Sequence, residues 1–124
     1  MSGLQGYSKA IDRALEGSEA AFQEQVLELA RACGWLVHAE RPALSRSGRW
    51  ATPIQGDAGF PDLVLVHPQR RLLLFVELKM KGGKLTIAQQ AWLDALNTVV
   101  FAGLAGVWRP GDWGLLKKTL KGEQ

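Results

Sequence analysis

Residues 62–79, DLVLVHPQRRLLLFVELK, constrain the fold of this chain more than any other stretch. Two mainly apolar runs, 62–66 and 71–78, flank His67-Pro68-Gln69-Arg70, whose proline and polar neighbours mark a turn. Runs of that length read as strands, and so short a connection can only join them antiparallel. With Pro68 to Arg71 as the loop, His67 faces Leu72, and counting back along both strands brings Asp62 opposite Glu77. Directly opposed residues project from one face with Cβ atoms about 4.5–5.5 Å apart. Lys79, two residues past Glu77, shares that face. One end of one hairpin therefore offers two carboxylates and an ammonium. Residues 72–76 are apolar on both faces, as in a strand covered on two sides, so charge at its end must be paired or functional.

Two carboxylates so close repel, and one takes up a proton unless a cation sits between them. Oxygen ligands suit a hard ion, so Mg2+ is expected, with Mn2+ able to substitute. Such an ion polarises a phosphoryl oxygen, while Lys79 can orient an attacking water or offset charge in the transition state. The plainer alternative is that Asp62 ends a strand while Glu77 and Lys79 form a solvated cross-strand ion pair. A Cys/His zinc cage needs four ligands and is excluded, because the chain holds one cysteine and two histidines.

The remaining text organises around this hairpin. At 124 residues the chain suits one core, and with 47% apolar residues it can build one. No apolar run approaches the ~18–20 residues of a membrane span. The opening residues show neither an apolar leader segment nor a small-residue cleavage site, and the single Cys33 cannot form an internal disulfide, so an intracellular setting is expected. The net charge of +3 permits a polyanionic partner without demonstrating one. Residues 1–17 form an arm with Leu4, Tyr7, Ile11 and Leu15 at helical spacing, weakened by Gly3, Gly6 and Gly17. It reads as a weak helix or a swapped arm, leaving 18–124 as the domain. Ser18 suits an N-cap for a helix to about Cys33, stopped by Gly34. Residues 35–39 read as a buried strand and 41–59 as a long polar loop. Thr86 caps a second helix to about Thr98, 105–108 forms a last strand, and Asp112 suits the cap of a short terminal helix.

Gly59-Phe60-Pro61-Asp62-Leu63-Val64-Leu65 followed by Val76-Glu77-Leu78-Lys79 resembles the PD-(D/E)XK nuclease motif. Together with Thr86-Ile87-Ala88-Gln89-Gln90-Ala91-Trp92-Leu93 it is similar to the virus-type replication-repair nuclease group (VRR-NUC), over about residues 18–113. The pattern of elements gives an α/β fold. The resemblance implies a restriction-endonuclease-like one, with a mixed β-sheet and an antiparallel catalytic hairpin flanked by helices. It also implies a metal-dependent endonuclease in which Asp62 and Glu77 bind metal, the Leu78 carbonyl is a further ligand and Lys79 is the catalytic lysine. Stand-alone members of this size resemble phage and bacterial junction-cleaving enzymes, often dimeric. A homodimer acting on branched or Holliday-junction DNA, in the cytoplasm of a bacterial or phage-infected cell, is the expectation that follows. Two other readings stand beside it: a non-catalytic DNA-binding or assembly module on the same fold, and a sequence-specific restriction-type nuclease.

The same resemblance implies a glutamate on the first helix. At about 100° per residue, Glu19 shares a face with Phe22, Gln23, Val26 and Ala30, whereas Glu24 and Glu28 turn away beside Arg31. Glu19 is either a metal ligand or a first-turn carboxylate favouring the helix dipole. Gln89 falls on the apolar face with Trp92, Leu93 and Leu96, where it positions a phosphate, a water or Lys79, or else satisfies buried backbone groups. Gln90 turns to solvent with Asp94 and Asn97. Arg41, Arg46 and Arg49 in the long loop, and Lys81 and Lys84 after the catalytic strand, are candidate phosphate contacts. Arg109-Pro110 either lies near substrate or simply ends the last strand. His67 is expected in the turn and His38 as a satisfied core histidine, with Trp108 and Trp113 in the core.

Overall fold

The computed structural model describes residues 17–40, 55–99 and 104–123 in full, and the backbone of 43–44 and 50–51. Ser18 starts the first helix, α1 (Glu19–Ala32), because its extended backbone leaves the hydroxyl free to accept the Ala21 N–H at 3.2 Å. The helix gives way at Cys33, and Gly34 follows with φ +90°. Phe22, Val26, Leu29 and Ala30 make its buried stripe.

Four strands form one mixed sheet in the order β1 (Leu36–Ala39), β4 (Leu63–His67), β5 (Leu72–Leu78), β6 (Leu104–Trp108). A separate two-stranded sheet pairs β2 (Ala43–Leu44) with β3 (Trp50–Ala51), so the polar stretch expected to be loop carries a small antiparallel ladder. The hairpin β4–β5 has the register read from its turn, with His67 opposite Leu72 and Leu63 opposite Val76. β1 joins β4 antiparallel, while β6 joins β5 parallel. A parallel pair needs a crossover, which helix α2 (Ile87–Thr98) supplies. A short 3-10 turn (Pro110–Asp112) and helix α3 (Trp113–Lys121) complete this α/β architecture, which is consistent with a restriction-endonuclease-like fold.

The period of two along the strands divides the sheet into unlike faces. Leu63, Leu65, Leu74, Val76 and Leu78 meet Phe22, Val26 and Leu29 of α1 and Trp113, Leu116 and Leu120 of α3 in the main core. Beyond the opposite face, Phe60 sets its ring edge-to-face against Phe75 at 6.0 Å and Trp92 at 5.0 Å, attaching α2. Asn97 of α2 grips the outer edge of β6, donating to and accepting from the Ala105 backbone at 3.0 Å each. At the hairpin's turn, His67 Nδ1 accepts the Arg70 N–H (3.1 Å), so Nε2 carries the proton that goes to the Cys33 carbonyl (3.0 Å). Arg70 then reaches the Thr119 and Leu120 carbonyls and lies 5.4 Å from the centre of a Trp35 ring, tying the turn to α3.

Three expectations are corrected. β1 is a sheet edge of alternating exposed and half-buried residues, because nothing pairs with its far side among the described residues; only Trp35, just before it, is buried. His38 is accordingly exposed, and His67 is the buried, hydrogen-bonded histidine. The Asp112 carboxylate accepts the Arg109 N–H at 2.9 Å, stabilising the 3-10 turn instead of capping α3. The arm expected at residues 1–17 falls, except for Gly17, outside the described residues.

Gly59 joins the hairpin to α2. Its φ is +99°, and a Cβ there would stand 2.5 Å from the Ala88 carbonyl carbon and 2.8 Å from the Gln89 nitrogen. Backbone cannot yield as a side chain can. Gly59→Ala is expected to cost about 2–3 kcal/mol, lowering Tm by roughly 10 °C in a calorimetric scan. Gly56→Ala, at φ +111° with nothing within 4 Å, is the control that isolates strain from crowding and should cost clearly less.

Candidate active site

The regular ladder of the hairpin ends at Leu63 and Val76, and the candidate site begins one step beyond it. The Asp62 carbonyl still accepts the Glu40 N–H at 3.2 Å, which holds its backbone in line with β1. Its side chain takes over from the lost ladder: Oδ2 accepts the Leu78 N–H at 2.9 Å. That bond turns the carboxyl towards β5, where it also hydrogen-bonds the Glu77 carboxyl. Asp62 and Glu77 thus meet on one side of the sheet, as their register requires.

Glu77 is 2% exposed, and its Oε2 is buried without a hydrogen-bond partner. Burial, and then the hydrogen bond and charge of Asp62, push its pKa up to about 9 against the pull of Lys79. Without a cation, Glu77 is therefore protonated at neutral pH and donates to Asp62. Glu19, at the first turn of α1, has its pKa raised by burial and then by the charge of Asp62, with Lys79 opposing; Glu77 in turn feels Glu19. The fold so brings Glu19, Asp62, Glu77 and Lys79 within electrostatic reach of one another. Lys79 is half-buried and extends the parallel pairing by donating its N–H to the Trp108 carbonyl at 3.1 Å.

Among the described residues, no three Asp, Glu, His or Cys side chains close into a finished metal cage. A hard divalent cation takes oxygen donors of the kind gathered here. The orphaned Oε2 of Glu77, beside a second carboxyl, is the kind of atom such a cation would satisfy. Leu78 is fully buried and gives its N–H to Asp62.

Other candidates lie further out. Gln89 is half-buried at the start of α2, where its Oε1 accepts the Thr86 N–H at 2.9 Å and its own N–H reaches Thr86 Oγ1 at 3.1 Å, a reciprocal capping box. Lys81 and Lys84 are exposed in the segment after β5. Arg41, Arg46 and Arg49 lie outside the described residues. Glu24 and Glu28 are exposed beside Arg31, as their helical phase required. Two features escaped the reading of the sequence. One is the seating of Gly59 on α2, signalled only by a glycine three residues before Asp62. The other is the clasp made by Arg109, a residue expected either near substrate or simply at the end of the last strand: its guanidinium bonds the Met80 and Gly83 carbonyls just after Lys79.

The raised pKa of Glu77 has a thermodynamic consequence. The folded chain binds this proton more tightly than the unfolded chain, so the contribution is complete below about pH 4.5 and drains away as pH rises towards about 9. Metal-free protein should therefore lose Tm across that interval, and Glu77→Gln, which cannot titrate, should flatten the profile. A profile unaltered by the substitution would show that Glu77 is ionised in the fold.

The family profile of the VRR-NUC domain matches residues 19–107, a span that contains α1, the hairpin, α2 and nearly all of β6. No curated protein and no solved structure matches the chain. With the profile covering well over half of its length, the chain belongs to the VRR-NUC family of nucleases.

Proposed function

We propose that this chain is a metal-dependent endonuclease that hydrolyses phosphodiester bonds in branched DNA, Holliday junctions included. In this reading residues 18–124 are the nuclease domain and residues 1–17 an arm. The observation that carries it is Glu77, a buried carboxyl with one oxygen unpartnered and the other group in contact being a second carboxyl. Burying an acid in that way costs stability, and a divalent cation would repay it.

Asp62, Glu77 and the Leu78 carbonyl would hold the ion, with Glu19 completing the set. When bound, Mg2+ or Mn2+ supplies Lewis-acid polarisation of the scissile phosphate. The Lys79 ammonium orients the attacking water and offsets charge developing on the phosphoryl oxygens. Gln89, its oxygen held by Thr86, has an NH2 group to offer a phosphate. Lys81 and Lys84, with Arg41, Arg46 and Arg49, contact the DNA backbone. A cavity of about 520 Å3 lined by Glu40, Asp57, Gly59, Phe60 and Trp92 lies beside the Asp62 segment. One centre per chain cuts one strand, so paired incisions call for a symmetric homodimer. Such an enzyme would work in the cytoplasm of a bacterial or phage-infected cell; no described helix is long and apolar enough to cross a membrane.

The test uses a labelled four-way junction and a linear duplex of the same sequence, each with Mg2+, Mn2+ or chelator. Cleavage is expected only with a divalent ion and to favour the junction. Asp62→Ala and Lys79→Ala should each lower the rate at least about 100-fold while leaving junction binding in place. Binding by the wild type without divalent-dependent cleavage would refute the reading. A second measurement addresses the ion directly. Mn2+ uptake at pH 7 should expel a proton from Glu77, read by calorimetry in buffers of differing ionisation heat and absent in Glu77→Gln.

A further inference from the structure

We infer that Arg109 is a positioning residue for Lys79, acting through the turn that follows it. The inference rests on the nuclease reading for Lys79's chemistry but on independent geometry for the clasp. Parallel pairing places Leu78 beside Trp108, and the Lys79 N–H donates to the Trp108 carbonyl, so Arg109 enters the chain next to Lys79. Its Nη1 donates to two backbone carbonyls at once, Met80 at 2.8 Å and Gly83 at 2.7 Å. These are the two ends of a tight turn, closed by the Gly83 N–H on the Met80 carbonyl at 2.9 Å and made possible by Gly82 at φ +80°. The turn lies along the lysine stem: a Cβ built on Gly83 would stand 3.6 Å from Lys79 Cδ and 3.7 Å from Lys79 Cβ.

Charge-assisted bonds of this length are strong, and one guanidinium nitrogen serving two carbonyls fixes the distance between them. The base of the clasp is itself fixed, because the Arg109 N–H donates to Asp112 at 2.9 Å and Pro110 is buried. Lysine loses considerable rotamer freedom when its ammonium is held in one place. The turn held beside its Cβ–Cδ segment limits part of that freedom before substrate arrives. Nothing in this arrangement requires Arg109 to touch DNA.

Arg109→Gln keeps a donor of shorter reach and removes the charge. Two measurements on it separate positioning from the alternatives. In junction cleavage, kcat should fall roughly 10-fold with KM and its salt dependence unchanged, and Arg109→Lys, whose ammonium can also serve two carbonyls, should recover most of the loss. In NMR of the metal-free protein with 13C-labelled lysine, the Lys79 methylene signals, assigned with Lys79→Arg, should be ordered in the wild type and mobile in Arg109→Gln. A raised KM with a shallower salt slope would make Arg109 a phosphate contact and overturn the inference. Lys79 methylenes equally ordered with and without Arg109 would overturn it too. If the wild type fails to cut any DNA, the nuclease reading falls, while the NMR comparison still decides whether Arg109 orders Lys79.

Discussion

The Asp62 and Glu77 carboxyls touch at the open end of a hairpin, and the surroundings of that contact are arranged to make it tolerable. Two acids in contact, one of them almost wholly removed from water, are unfavourable when both are ionised. Three features offset this. Glu77 keeps its proton, Asp62 receives the Leu78 N–H, and Lys79 brings a positive charge to the same end of β5. Leucine at position 77 would fill the same space without any of these compensations. A carboxyl retained there at a cost to stability is a mark of function, because a structural role would be served better by an apolar side chain.

The hairpin that carries this contact is anchored at both ends by different means. At the turn, His67, Trp35 and Arg70 interlock and join α3 through the Thr119 and Leu120 carbonyls. At the carboxyl end the anchors are backbone: Gly59 seated against α2, Glu40 on the Asp62 carbonyl, and Lys79 on Trp108. Glu77 is thereby spared structural duty at that end. Glu77 Oε2 is left unsatisfied where the opposite end of the hairpin has its histidine bonded through both ring nitrogens. Polar saturation at one end and deficit at the other divide the hairpin into a structural half and a chemical half.

What was legible in the sequence follows the same division. Asp62, Glu77 and Lys79 could be placed together because a strand has a period of two and the turn fixed the register; no long-range information was needed. Family resemblance asked for a glutamate on the first helix and helical phase selected Glu19 from three, while the boundaries of α1 and α2 followed from Ser18 and Thr86, each of which caps through its own hydroxyl. The histidines were misread because apolar neighbours alone do not reveal that β1 is an edge: Leu36, Val37 and Ala39 surround His38 in sequence, yet one side of that strand has no partner among the described residues. Asp112 was misassigned because a carboxylate before a helix can serve the turn behind it as well as the helix ahead. Gln89 kept its helical position, but its oxygen is taken by Thr86, a choice that depends on side-chain rotamer and not on periodicity.

Arg109 shows where local rules run out. Its guanidinium partners, Met80 and Gly83, stand far from it in the chain and become neighbours only when β6 is laid parallel to β5. The crossover through α2 is what separates them in sequence, and the parallel register is what reunites them. A side chain placed directly after the last strand therefore bonds the backbone that follows β5. Because Met80 and Gly83 follow β5 while Arg109 follows β6, any slip in that register would carry the guanidinium away from the two carbonyls and break the clasp beside Lys79. The parallel pair is thus a structural requirement of the site as much as the hairpin is, even though both candidate carboxylates of the hairpin lie outside it or on its near strand alone.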